Sequence, residues 1–118
     1  MTSRVPSLSP DGLEEALGCH PFTVVHLDAE WDGYRAIVSQ RMEDLLDSCS
    51  DTAFGYIDVD LCPDHARAIH LLNVLACSYY RGRTLVATVI GMQQDIARNL
   101  DTLRSGGTPD TTNTISRF

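Results

Sequence analysis

The sequence contains no lysine; all nine of its basic residues are arginine. That absence excludes Schiff-base chemistry and any phosphate loop ending in Gly-Lys-Ser/Thr. Positive charge is scarce altogether, with 9 basic against 16 acidic residues and a net charge of -7. A phosphate-backbone binder needs a basic footprint, so nucleic acid is not an expected partner. No run reaches the roughly 18 apolar residues needed to span a bilayer, and no membrane partner is expected. Met1 to Pro10 mixes polar and apolar residues around two prolines and does not read as a secretory leader. The expected location is therefore the cytoplasm.

Cysteine is present, at positions 19, 49, 62 and 77, but no pair has Cys-x-x-Cys spacing. Neither a zinc knuckle nor a dithiol centre is written locally, and a cytoplasmic chain favours reduced thiols that pack as small hydrophobes. His65 and His70 stand five apart, on different faces of a helix, which spoils a two-histidine metal site. No metal and no cofactor is expected.

What remains is a globular composition, 43% apolar and 21% charged in 118 residues, enough for one domain. Arg4 to Leu8 reads as a short edge strand. Ser9-Pro10-Asp11 starts a helix, with Ser9 as cap and Gly18 as its close. Phe22 to Ala29 is a nearly continuous apolar run, the pattern of a strand covered on both faces. From Tyr34 the period changes: Ile37, Val38, Met42, Leu45, Leu46 and Cys49 mark one face of a helix through about Ser48. Ala53 to Asp58 returns to strand chemistry, and Cys62-Pro63-Asp64 opens a helix through Leu72. Ala76 to Tyr80 and Thr84 to Ile90, joined by Arg81-Gly82-Arg83, read as an antiparallel hairpin. Ile96, Ala97, Leu100 and Leu103 give a last amphipathic helix. The domain is expected to cover 1–104, and the Thr/Ser/Gly-rich stretch 105–118 to be a disordered tail. The order β-α-β-α-β-α-β-β-α implies an α/β fold, a mixed central sheet with helices on both faces.

With these elements placed, the chain resembles the thioredoxin-like family. Val24-Val25-His26-Leu27-Asp28-Ala29-Glu30-Trp31 is similar to the strand that runs into that family's Ala-Glu-Trp-Cys-Gly-Pro-Cys motif. Tyr56-Ile57-Asp58-Val59-Asp60 is similar to its third strand, and Asn73-Val74-Leu75-Ala76 to the segment carrying its cis-proline. Arg81 through Gly91 resembles its final hairpin. The resemblance implies a thioredoxin-like fold over about Leu8 to Leu103. The departures fall on the chemistry: Asp32-Gly33-Tyr34-Arg35 stands in place of Cys-Gly-Pro-Cys, Leu75 in place of the proline, and His26 in place of a buried aspartate. Thiol–disulfide exchange needs an attacking and a resolving thiol, and neither stands at the motif.

The expected role is therefore that of a redox-inactive module that binds another protein or peptide, as an adaptor, chaperone-like or assembly factor. Its surface is expected at Trp31, Asp32, Gly33, Tyr34 and Arg35 with Leu75 and Ala76; an aromatic beside an arginine has hot-spot composition. Asp32 reads first as an N-cap of the following helix and otherwise as a carboxylate in an exposed recognition loop. His26 reads first as a hydrogen-bonded core histidine and otherwise as a base near neutrality. Asp28, Asp58 and Asp60 end strands at the edge where open α/β sheets bind ligands, and read as a solvated acidic rim before a metal pocket. The alternative class is an enzyme or redox sensor using Cys62 or Cys77 as a single displaced thiol.

Overall fold

The computed structural model describes residues 5–28, 35–58, 76–90 and 95–109. Within them lie α1 (Pro10–Cys19), β1 (Phe22–Asp28), α2 (Arg35–Leu46), β2 (Thr52–Asp58), β3 (Ala76–Arg81), β4 (Thr84–Ile90) and α3 (Ile96–Arg104). The expected helix from Cys62 to Leu72 lies outside the described residues.

The four strands form one sheet in the order β2-β1-β3-β4. β1 pairs with β2 in parallel and with β3 antiparallel, and β3 pairs antiparallel with β4. The sheet is mixed, as the sequence pattern implied. Gly82 supplies the hairpin's left-handed residue at φ +59°, a conformation that carries no steric penalty without a Cβ. A β-bulge interrupts the hairpin: Tyr79 faces Ala87 and Tyr80 faces Leu85, leaving Val86 as the extra residue.

Alternation along β1 divides the core between the two faces of the sheet. Val25 and Leu27 pack with Leu13 and Leu17 of α1, Ile57, Ala76 and Tyr80. Val24 faces the other way, with Val38 and Met42 of α2 and Ile96, Leu100 and Leu103 of α3. Helices thus cover both faces. Ser9 caps α1 as expected, its Oγ accepting from the Gly12 N–H at 3.1 Å, and the helix runs one residue past Gly18. The expected edge strand at Arg4 to Leu8 shrinks to a bridge. Leu8 N–H donates to Tyr56 O at 2.8 Å, and Tyr56 N–H to Pro6 O at 3.0 Å. Gly55 permits that approach, since a Cβ there would stand 2.5 Å from Leu8 Cδ1.

Asp95 caps α3 by accepting from the Arg98 N–H at 3.1 Å. Beyond the helix, where the composition implied a tail from Ser105, the first five residues are held to the domain. One guanidinium nitrogen of Arg81 donates to Leu103 O and to Gly107 O, both at 2.8 Å, and Pro109 is buried. Residues 110–118 lie outside the described set.

Candidate functional site

β1 and β2 run in parallel and end together, with Asp28 in register with Asp58. β3 begins at the same edge, Ala76 in register with Leu27. Asp28, Asp58 and Ala76 therefore stand together at one edge of the sheet. This is the edge at which open α/β sheets present their ligand-binding loops. Trp31, Asp32, Gly33, Tyr34, Leu75 and Cys62 lie outside the described residues, as do Asp60, His65 and His70. Arg35 opens α2. The backbone topology brings the ends of both expected binding segments to one place.

Ala76, expected at the partner surface with Leu75, has a fully buried side chain in the cluster that includes Leu27, Leu13 and Leu17. A residue so placed offers a partner only its backbone. Cys77 is buried too, as is Cys49, whereas Cys19 is exposed. Burial disfavours a thiolate and shields the sulfur, so buried thiols are ordinarily inert.

The structure adds a juxtaposition that local sequence does not show. His26 on β1 lies directly opposite Cys77 on β3, and Tyr56 on β2 flanks it on the other side. His26 and Cys77 are each only 1% exposed. Directly opposed residues on one sheet face carry their Cβ atoms about 4.5–5.5 Å apart. An imidazole and a thiol thus share the face covered by α2 and α3. No nucleophile neighbours His26 along the chain; the strand order supplies one across it.

Next along that face is Tyr79, whose hydroxyl meets Asn99 Nδ2 of α3 at 3.1 Å. Burial pushes the Tyr79 phenol well above its ordinary range, the nearby Cys77 adds to this, and the Asn99 hydrogen bond opposes it. On the other face burial, and then the charge of Glu14, push Tyr80 up to about 12. Both phenols stay protonated at any physiological pH. Neither can serve as a base.

A second polar cluster stands at the opposite end of β2. Arg104 grips Asp51 with two hydrogen bonds, Nε to Oδ2 at 3.0 Å and Nη2 to Oδ1 at 2.6 Å, and also reaches Thr52 Oγ1 at 3.3 Å. It ties the last turn of α3 to the start of β2 and holds no reactive group at the candidate edge. Among the described residues no three His, Cys, Asp or Glu side chains gather as a metal site would require.

No family model matches the chain, and no curated protein matches it. Its architecture is nonetheless that of solved thioredoxins. A point mutant of thioredoxin from Halobacterium salinarum NRC-1 superposes with a TM-score of 0.72 at 22% identity, over 88% of this chain and 89% of that one. Thioredoxin from Malassezia sympodialis gives 0.69 at 18% identity, over 88% and 91%. Mitochondrial thioredoxin 3 of Saccharomyces cerevisiae, in its oxidised form, gives 0.66 at 19% identity, over 86% and 92%. At such identities the likeness establishes the fold alone. The fold is thioredoxin-like.

Proposed function

We propose that this thioredoxin-fold chain is a redox-inactive module that binds another protein or peptide through the loop between β1 and α2. One observation carries the reading: no cysteine lies between Cys19 and Cys49, so no thiol stands between β1 and α2 in the sequence. Trp31, Asp32, Gly33, Tyr34 and Arg35 form the recognition segment, with Leu75 and the backbone at Ala76 beside it. Aromatic side chains bury large area at modest entropic cost, and an arginine beside them adds directed donors, which suits the pair to anchor a partner. The module fits a cytoplasmic adaptor, chaperone-like or assembly role and needs no cofactor.

Two measurements test it together. Dithiothreitol-dependent reduction of insulin should stay at background, and turnover comparable to a thioredoxin in the same assay would overturn the reading. Trp31 is the single tryptophan, so its fluorescence reports directly on binding of a candidate partner. Tyr34→Ala should abolish that fluorescence response, and Trp31→Ala, which removes the fluorophore, should abolish binding read by calorimetry; both should leave the circular dichroism spectrum intact.

A second reading, a single-thiol enzyme or sensor, rests on the His26–Cys77 pairing. An imidazole beside a thiol can take its proton and leave a nucleophilic thiolate. Native-state alkylation separates the two functions: a Cys77 or Cys62 that reacts faster than exposed Cys19 favours the thiol, and a slower one the binding module.

A further inference from the structure

The strand order sets a nucleophile against a base inside the fold. His26 on β1 stands in register with Cys77 on β3, and each is 1% exposed. Cys77 shares a core cluster with Val38 and Met42 of α2 and Leu100 of α3, so the pair lies beneath both helices. Neither group belongs to the proposed recognition segment. We propose that Cys77 is a sensing thiol that hydrogen peroxide oxidises to a sulfenic acid, with His26 as the acceptor of its proton.

Burial selects the oxidant. A sulfur so enclosed beneath two helices is out of reach of a glutathione or protein disulfide. Hydrogen peroxide is uncharged and close to water in size, so it can enter through transient local openings of the packing. The imidazole selects this thiol. Directly opposed side chains on one sheet face meet, and an imidazole beside a thiol can take its proton. The proton stays within the pair, so the core gains no net charge. The thiolate sulfur then attacks one peroxide oxygen, and the S–O bond forms as the O–O bond breaks. The departing hydroxide takes the proton from the imidazolium and leaves as water. Sulfur gives up two electrons and the peroxide gains them; thiol and peroxide become sulfenic acid and water. The new oxygen enlarges a side chain in a close-packed face and makes it polar, which loosens α2 and α3 from the sheet. Thiols reverse the change. Cys77 adjoins Ala76, the first residue of β3, so the perturbation arises beside the candidate edge. The site goes beyond the binding function and does not depend on it, since one oxidation of one buried thiol needs neither a partner nor turnover.

The test compares Cys77 with itself in the folded and the urea-unfolded full chain at pH 7. The readout is the initial rate at which the peptide carrying Cys77 gains one oxygen from hydrogen peroxide. An ordinary exposed thiol, with a pKa of about 8.5, is only a few per cent thiolate at that pH. Folding sets His26 beside Cys77 and should raise the peroxide rate at least tenfold. A bulky maleimide should do the reverse, labelling Cys77 at least tenfold more slowly in the folded chain. His26→Gln, similar in size but holding no base, should abolish the peroxide excess with circular dichroism unchanged. The oxidised wild-type chain should melt several degrees lower, and dithiothreitol should restore it. A peroxide rate no higher in the folded chain than in the unfolded one overturns the proposal without any variant. So does an excess that survives His26→Gln, a folded Cys77 that takes maleimide as fast as the unfolded one, or a melting temperature unmoved by oxidation.

Discussion

The Asp51–Arg104 pair permits the sharpest numerical test of how this fold is held. Its two hydrogen bonds, at 3.0 and 2.6 Å, form the planar fork of a bidentate arginine–carboxylate pair. An ordinary exposed ion pair contributes about 0.2–1 kcal/mol, and a hydrogen bond to a charged group about 1.5–3 when water is excluded. The side chains here are 29% and 38% exposed, between those limits and open enough for solvent to weaken the attraction. A coupling of about 1–1.5 kcal/mol is therefore expected. For a domain of this size that corresponds to roughly 4–6 °C in melting temperature.

The pH dependence fixes the cause. Arg104's hydrogen bonds hold the Asp51 carboxyl below its ordinary value of 3.8; desolvation opposes this and Thr52 reinforces it. A carboxyl depressed in the folded state contributes stability that is complete above its unfolded value. That contribution is lost as pH falls through the folded one. A double-mutant cycle of Asp51→Asn and Arg104→Gln, by urea unfolding, should thus give the same coupling at pH 7 and pH 5. It should shrink progressively below about pH 4. A coupling under about 0.3 kcal/mol at pH 7, or one unchanged at pH 3, would refute the reasoning.

Three further outcomes follow from the geometry. Arg81→Ala removes the donor to Leu103 O and Gly107 O, so hydrogen exchange at the Ser105 to Gly107 amides should accelerate at least tenfold, with about 1.5–2.5 kcal/mol of stability lost. Gly55→Ala sets a Cβ against Leu8 Cγ and Cδ1 at 2.7 and 2.5 Å; it should cost about 1–3 kcal/mol and expose the Leu8 amide to exchange. Native alkylation should label exposed Cys19 before buried Cys49, and denaturation should remove the difference.

The parts legible in the sequence are those governed by nearest neighbours. Ser9-Pro10 writes the start of α1, Gly82 the hairpin turn, and the change of period the passage from β1 to α2. Each depends on residues within a turn or two, where propensity and capping act. The contacts that local pattern misses are set by which strand lies beside which. His26 meets Cys77 because β3, fifty residues on, returns antiparallel beside β1, and no local pattern encodes that register. Arg104 likewise finds Asp51 across more than fifty residues. The tail shows the same limit: Ser105 to Gly107 look unable to offset their own ordering entropy, yet Arg81 on β3 supplies the partner. The burial of Ala76 is likewise set by its neighbours in the fold, Leu27 on β1 and the leucines of α1, rather than by adjacent sequence.

The likeness to solved thioredoxins and the absence of cysteine between β1 and α2 are compatible, because the fold does not depend on the motif's chemistry. A disulfide closing only four residues constrains the unfolded chain by about 2 kcal/mol in the loop-entropy account. The two core faces packed against β1 involve far more: burying a single leucine or valine contributes about 1.5–3 kcal/mol, and each face holds several. The scaffold can therefore lose both thiols and keep its sheet. What it retains is the meeting of two loop ends at one edge, fixed by Asp28 opposite Asp58 and Leu27 opposite Ala76. Positioning loops to grip an extended chain is the part of thiol–disulfide exchange that precedes chemistry, and it requires no cysteine. The proposed binding role needs that placement of strand ends and no thiol.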